Sequence, residues 1–358
     1  MAVGLEVSGC GAQRGITAAA VILLTAALAA LSLAAGVSGG GATAAGPLAP
    51  AAVGAVFDDA GARRAGVSWD WPQCVQIVAN LQAQPPAVPV VLLLGGSSAR
   101  ESTFRDQLWS AQIDRRGGPT VEAHNLASKH RTFATDLALA RLLPRGGKTI
   151  VYIGLNLGRF CAAPTTPTIT LPAPDPDFVP KARNICFSPD IQSAAAKRSY
   201  VARWVQRRWP EFAAHYAYNI RVVERIIVAC KLRGLRPVLL DLPRDTAAIG
   251  TAFAKPVSMY RAGCHRLARK YNVPFLHFAG AIGLVSRDFF DIFHLVETGR
   301  TKHQRALSDQ TVLLLKKYGM FPAPSPSPSP SPLPSPSPLP SDSPSPSPPP
   351  SPSDSPSP

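Results

Sequence analysis

The sequence predicts a three-layer α/β/α sandwich around a five-stranded parallel sheet of flavodoxin-like topology. Between about residues 88 and 318, apolar runs of strand length alternate with stretches of helical periodicity. This alternation is typical of βαβ units whose sheet is covered on both faces. No internal repeat and no second core is visible in this region. We therefore expect one α/β domain over residues 58–320.

Each element follows from its own stretch of sequence. Five apolar runs predict the strands, at residues 88–94, 120–123, 148–154, 236–242 and 273–278. Stretches of helical periodicity predict helices at residues 100–113, 131–143, 200–209, 217–232, 258–271 and 297–318. Residues 157–195 interrupt the alternation, because they are rich in proline and threonine. We expect an insertion there, after the third strand.

The N-terminal region predicts a membrane segment. Residues 15–57 carry no charge, and Ile16 to Ala35 form an apolar run long enough to cross the roughly 30 Å of bilayer hydrocarbon. We expect residues 15–36 to be an uncleaved anchor or else a signal peptide, since small residues follow the run. Arg14 and the amino terminus outweigh Glu6, which places residues 1–14 in the cytoplasm and the rest outside. A Gly/Ala/Pro linker then covers residues 37–57.

Residues 321–358 form a second region outside the predicted domain. They are almost wholly alternating serine and proline, a composition that cannot bury apolar surface and favours polyproline II. We expect a disordered tail that threads a cell wall, carries sugars or binds a partner, or one without a specific function.

The net charge of +15 suits a place near anionic lipids or acidic wall polymers. The sequence contains no Lys/Arg run with a binding motif that would indicate nucleic-acid binding. The densest basic patch, at residues 197–209, predicts an amphipathic helix. Its arginines are either solvated or take a membrane-facing or substrate-covering role.

Six cysteines restrict the possible cross-links. Cys10 precedes the apolar run, and the other five would lie in an oxidising compartment, where they cannot all pair. Two bridges are open, Cys161 with Cys186 across the insertion and Cys230 with Cys264 between helices. No CxxC or Cys/His spacing indicates a metal, and we expect no cofactor.

Polar residues follow the first predicted strand in the sequence GGSS, Gly95–Ser98. Ligands of such sheets lie beyond the carboxyl ends of the strands, and the two glycines permit a tight strand-to-helix turn. Ser98 and Glu101 have the S-x-x-E spacing of a capping box. That interpretation leaves Ser97 in the turn as the candidate nucleophile, with its amide near the helix N-terminus.

Three more residues extend this candidate site. Asn156 follows the third strand, where its carboxamide can donate to an oxyanion or else close an Asx turn. Asp291 and His294 are three positions apart, so the carboxylate can bind one imidazole nitrogen and leave the other as a base. Alternatively they share a solvated helical turn. Asp241, at the end of the fourth strand, is a rival carboxylate.

With these residues in place, the sequence resembles the SGNH hydrolase family, also called GDSL-type esterases and lipases, over about residues 89–318. LLLGGSS resembles the family's first block, YIGLN its third and DIFHLVETG its last. The resemblance implies an SGNH hydrolase-like fold with Ser97 as nucleophile and Asn156 as oxyanion donor. It also implies that Asp291 and His294 complete a catalytic triad.

Two positions depart from the family pattern. Gly96 replaces the usual acidic residue before the serine, and the segment HNLASKHRTF contains no glycine for a second oxyanion donor. The backbone amide of Ala127 or Ser128 is expected to substitute. The oxyanion site expected from the sequence thus combines the Ser97 amide, Asn156 and Ala127.

The sequence therefore predicts a membrane-anchored, extracytoplasmic serine esterase or O-acyltransferase, secreted if the signal is cleaved. It would act on ester-linked acyl groups of carbohydrate, cell wall or lipid through an acyl-enzyme. The alternative is a catalytically silent module that binds wall polysaccharide in the same cleft. The expected partners are an ester-bearing substrate and a membrane, but no nucleic acid, and no oligomeric state is predicted.

Overall fold

The computed structural model describes residues 70–180, 191–278 and 280–321, and these form the predicted sandwich. The strands are β1 (Val90–Leu94), β2 (Glu122–Asn125), β3 (Thr149–Leu155), β4 (Arg236–Asp241) and β5 (Phe275–His277). Their order in the sheet is β2-β1-β3-β4-β5, and every neighbouring pair is parallel. The predicted fold class is confirmed. The strand order reverses between β1 and β3, which opens a crevice beyond their carboxyl ends.

Helices cover both faces of the sheet. They are α1 (Trp71–Ala83), α2 (Ser97–Arg100), α3 (Asp106–Arg115), α4 (Phe133–Ala140), α5 (Ala194–Leu232), α6 (Thr246–Ile249), α7 (Ala254–Tyr271) and α8 (Glu297–Lys317). Short 3₁₀ helices lie at Leu157–Cys161 and Ser286–Asp288. Helix α1 has no counterpart among the expected elements.

The two helices expected at residues 200–209 and 217–232 are one continuous helix, α5, with Pro210 inside it. A proline within a helix removes one hydrogen bond and costs about 3 kcal/mol. Trp204 before the proline and Phe212 after it are both buried in the same apolar core. Burial on both sides of Pro210 outweighs the local cost, so the helix does not end there.

Two apolar layers enclose the sheet because successive residues of a strand point to opposite faces. Leu92 and Ile153 belong to the layer that contains α1, α4 and α5. Leu93 and Tyr152 belong to the other layer, together with Trp109 of α3. Strands β1 and β3 are buried along their whole length, as expected for parallel strands between helices. The polar site is thereby confined to the edge where these strands end.

Several expectations fall outside the described residues. These are the cytoplasmic segment 1–14, the membrane segment 15–36, the linker 37–57 and the tail beyond residue 321. Within the part of the chain that the structure describes, no helix is both long enough and apolar enough to cross a bilayer.

The four cysteines among the described residues are free thiols. Cys230 and Cys264 are both free and buried, so the bridge expected between them is absent. Each is enclosed in the apolar core, where burial raises the pKa of the Cys230 thiol to about 12. Cys161 is also a free thiol and lies 3.4 Å from the carbonyl oxygen of Arg208. Its expected partner, Cys186, lies outside the described residues.

His303 is a buried titratable group on α8. Its ring has no solvent exposure, and Nδ1 lies 2.9 Å from the Ser102 carbonyl oxygen. Burial lowers the pKa of His303 from 6.5 to about 4, and the hydrogen bond offsets this only in part. On acidification the unfolded chain therefore takes up this proton before the folded chain does. The contribution of His303 to folding stability is fully present above the unfolded pKa, and it declines as the pH falls from 6.5 toward 4.

We expect the thermal midpoint of the wild type to fall between about pH 7.5 and about pH 5 more steeply than that of His303→Gln. Glutamine has no group that titrates in this range, so the variant lacks this proton uptake, whatever its absolute midpoint. His265→Gln is the matched control, because His265 is exposed and should leave the slope at the wild-type value. Thermal unfolding followed by circular dichroism measures the slopes, and equal slopes for all three proteins would contradict the assignment.

Candidate active site

Ser97, His294 and Asp291 form one hydrogen-bonded chain at the carboxyl edge of the sheet. His294 Nε2 lies 2.8 Å from Ser97 Oγ, and His294 Nδ1 lies 2.8 Å from Asp291 Oδ2. Asp291 Oδ1 also accepts the backbone amides of Phe293 and His294, at 2.8 and 2.9 Å. A carboxylate at Nδ1 favours the tautomer that carries its proton there. Nε2 is then the acceptor for the serine hydroxyl.

Asp291 keeps its charge in this setting. Burial alone would raise the pKa of its carboxyl group, but the hydrogen bonds and charge of His294 and the backbone amides of Phe293 and His294 outweigh burial. The pKa of Asp291 is therefore held below its ordinary value. An ionised carboxylate can both orient the imidazole and stabilise the imidazolium form.

The turn after β1 places Ser97 at this edge. Gly96, in an extended conformation, is the N-cap of α2, and Ser97 is the first helical residue. A Cβ atom on Gly95 would overlap the Ala99 side chain, and one on Gly154 of β3 would lie 2.9 Å from the Leu94 carbonyl oxygen. Only glycine permits such close contact between the turn and the neighbouring strand.

The capping box expected from Ser98 and Glu101 does not form. Helix α2 begins at Ser97, two residues earlier than that box requires, and no side chain caps it. The Glu101 carboxylate pairs instead with the buried guanidinium groups of Arg100 and Arg300, at 2.9 and 3.0 Å. Two guanidinium ions bind a buried carboxylate more strongly than one backbone amide does. This prediction was therefore wrong.

Asn156 lies at the end of β3, beside the turn that carries Ser97. Its Oδ1 accepts the Gly158 amide at 2.8 Å, and its Nδ2 donates to Ser98 Oγ at 2.9 Å. The Gly158 contact fixes the orientation of the carboxamide, because only the oxygen can accept. Asn156 therefore closes a turn with its oxygen and presents its NH₂ group to the cleft.

Ala127 is placed away from the cleft. It is completely buried, and its amide donates to Asn125 Oδ1 at 3.0 Å. The amide of Ser128 donates to the Gly95 carbonyl oxygen at 3.1 Å. The Ala127 amide is thus engaged at the end of β2, and the Ser128 amide is engaged by the turn that follows β1.

The rival carboxylate, Asp241, is also separate from the histidine. Its Oδ2 pairs with Arg261 at 2.6 Å and with Arg244 at 3.0 Å. Asp241 is buried among these partners and does not line the cleft. The structure brings Asp291, rather than Asp241, to His294.

A buried ion cluster supports the floor of the cleft. Asp136 of α4 lies between Arg131 and Arg159, and each guanidinium binds one of its oxygens. Arg159 Nη1 also donates to the Gly154 carbonyl oxygen at 2.6 Å. The cluster ties the loop after β2 to the end of β3. Sequence reasoning missed these three residues, because a buried Arg–Asp–Arg arrangement has no characteristic spacing.

Ser97 opens into a cleft of about 510 Å³. One wall is the first part of α5, which contributes Tyr200, Arg203, Trp204, Arg207 and Arg208. Between the interpretations left open for the basic patch at residues 197–209, this placement favours a substrate-covering role. Among the described residues, no group of three His, Cys, Asp or Glu side chains is arranged to hold a metal ion.

Known proteins resemble this chain in structure rather than in sequence. No protein-family model matches it, and no curated protein matches its sequence. Similar solved structures include a lipolytic G-D-S-L family member from Veillonella parvula, with 10% identity, a TM-score of 0.38, and coverage of 62% of this chain and 98% of that one. The acetylxylan esterase Axe2 from Geobacillus stearothermophilus has 10% identity, a TM-score of 0.39, and coverage of 66% and 97%. A GDSL-like lipase from Bacteroides thetaiotaomicron has 11% identity, a TM-score of 0.37, and coverage of 68% and 98%.

Proposed function

We propose that this protein is a serine esterase or O-acyltransferase that works through an acyl-enzyme. The observation that carries the proposal is the hydrogen-bonded chain from Asp291 through His294 to Ser97, with 2.8 Å at each histidine nitrogen. A serine hydroxyl bound to a histidine that is itself held by a carboxylate is an activated nucleophile. It also opens into a cleft that can admit a substrate.

The reaction has two balanced halves. Ser97 Oγ forms a bond to the ester carbonyl carbon while His294 Nε2 takes the hydroxyl proton. The bond to the alcohol oxygen then breaks, and this oxygen leaves with the proton from His294. Water or the hydroxyl group of an acceptor next attacks the acyl-enzyme and gives its proton to His294. Ser97 recovers that proton as the acid or the new ester departs.

The proposed oxyanion donors are two groups, the Ser97 amide and Asn156 Nδ2. No acceptor binds the Ser97 amide within the described residues, and Nδ2 has a second proton besides the one directed to Ser98 Oγ. The two donors come from adjacent strand ends, β1 and β3. Donors fixed in advance are effective because they need no reorganisation when the charge develops.

The proposal extends to the setting of the enzyme. The uncharged segment of residues 15–36 supports a membrane anchor, or a secreted form after cleavage, with the catalytic domain outside the cytoplasm. The Ser-Pro tail of residues 321–358 suits a position in or near a cell wall. Ester-linked acyl groups on polysaccharide, wall polymer or lipid are the substrates that such a location offers.

Covalent labelling separates an esterase from a silent binding module. We expect a fluorophosphonate probe to form one adduct on the full-length protein and peptide mass spectrometry to place it on Ser97, because the probe reacts with a base-activated serine. Heat-denatured protein is the control, since it keeps the serine but loses the histidine contact. An unlabelled native protein, or a label on Ser98, would refute the proposed mechanism.

A further inference from the structure

The cleft beside Ser97 is strongly basic. Its lining contains no aspartate or glutamate among the described residues. Its basic side chains are those of His130, Arg131, Arg159, Arg203, Arg207, Arg208 and His294. A cleft lined by one sign of charge concentrates ligands of the opposite sign.

Three of these arginines already have carboxylate partners. Arg131 and Arg159 share the buried Asp136. Arg208 pairs with Glu211 in the next turn of α5. These arginines serve the protein's own structure, so the guanidinium groups available to a ligand must lie elsewhere in the cleft.

Arg203 and Arg207 provide those guanidinium groups. Both are exposed, and within the described residues neither has a carboxylate partner. Arg203 Nη1 donates to Ser199 Oγ at 3.3 Å, and its guanidinium lies 6.0 Å from the Tyr200 ring centre. The two arginines are four residues apart on α5, so their side chains share one face of the helix. Two like charges at this spacing repel each other, and a bound anion relieves the repulsion.

The wall that holds these arginines is firmly placed. Lys197, nearly two turns before Arg203 on α5, is buried and bound to Asp245 at 2.9 Å and to the Phe289 carbonyl oxygen at 2.9 Å. Trp204, between the two arginines, is buried against Phe253 with ring centres 4.3 Å apart. A fixed backbone and an apolar surface beside the guanidinium groups reduce the cost of ordering them around a ligand.

We propose that the cleft selects esters that carry an anionic group, a carboxylate or a phosphate, which Arg203 and Arg207 bind while Ser97 attacks the ester. The inference rests on the proposed esterase function and names its substrate class. Guanidinium groups bind carboxylate and phosphate through two parallel hydrogen bonds. The anion therefore orients the ester as well as attracting it.

Two aryl acetates test this selectivity. 4-Acetoxy-3-nitrobenzoate and 4-acetoxy-3-nitrobenzamide release similar nitrophenols and differ in one carboxylate. We expect the wild type to have a kcat/KM about tenfold or more higher for the benzoate. In the double variant Arg203→Ala/Arg207→Ala this ratio should fall to about one, and added salt should lower the wild-type ratio. Arg198→Ala removes an exposed arginine of α5 that lies outside the cleft, and it should keep the wild-type ratio.

Protection of Ser97 from the fluorophosphonate probe is the second measurement, and it needs no turnover. Glucuronate and glycerol 1-phosphate are compared at equal concentration with glucose and glycerol. The anion that slows labelling more than its uncharged parent identifies a carboxylate or a phosphate as the recognised group. This protection should disappear in the double variant.

The outcomes separate the two proposals. Three results would overturn the anionic selectivity. The first is equal kcat/KM for both acetates in the wild type, and the second is a preference for the benzoate that survives in the double variant. The third is that neither anion protects Ser97 more than its uncharged parent does. The esterase function stands in those cases, because Ser97 is still labelled. An unlabelled Ser97 without hydrolysis of either acetate overturns the proposed function itself.

Discussion

Replacing Ser97 by alanine should lower kcat/KM on an aryl acetate by about 10⁴-fold to 10⁶-fold, whereas Ser98→Ala should lower it by about tenfold at most. Ser97 Oγ is the atom bound to His294 Nε2, and without it no acyl-enzyme can form. Ser98 Oγ only accepts a hydrogen bond from Asn156. The two variants therefore each lose one serine hydroxyl group, at adjacent positions of the same turn.

Initial rates with 4-nitrophenyl acetate measure the two variants, and circular dichroism verifies that both are folded. Both serines line the cleft, but Ser98 is buried whereas Ser97 is partly exposed, so a fold defect should affect Ser98→Ala more. Full activity in Ser97→Ala, or an equal loss in both variants, would argue against Ser97 as the nucleophile.

Asp291→Asn should lower kcat by about 10³-fold to 10⁴-fold with little change in the thermal midpoint. The asparagine Oδ1 can still accept the amides of Phe293 and His294, so the turn is kept. Its NH₂ group, however, would donate to His294 Nδ1 and favour the tautomer protonated at Nε2. That tautomer cannot accept the proton of Ser97.

Steady-state kinetics and thermal unfolding on the same preparation separate the two effects. A loss of activity that parallels a loss of thermal stability would assign Asp291 a structural role only. Wild-type kcat in the variant would show that the carboxylate does not act through His294.

The sequence was sufficient to predict the fold and to predict that four site residues lie close together. Strand-length apolar runs and periodic stretches indicated the parallel sheet, and parallel strands bring their carboxyl ends to one edge. Ser97 and Asn156 follow neighbouring strands, and the short spacing of Asp291 and His294 allows their contact. All four positions thus follow from local patterns combined with one topological rule.

The failed expectations have a common physical cause, which is competition from distant residues. Glu101 has the spacing of a capping box but is taken by Arg300, far away in the sequence. Ala127 follows the second strand as expected, but Asn125 takes its amide. Pro210 is a helix breaker by its own chemistry, yet the buried residues on both sides continue the helix. Local patterns carry no information on such partners.

The ammonium group of Lys197 has a consequence for engineering this protein. It joins the wall helix to the segment Ser286–Phe289, which leads into the loop that carries Asp291 and His294. Arg203 and Arg207 project from the same helix but are not part of that link. Variants at Arg203 and Arg207 should therefore change the substrate preference and leave the positions of Asp291 and His294 nearly unchanged. Variants at Lys197 should lose both the substrate preference and the positions of these two residues.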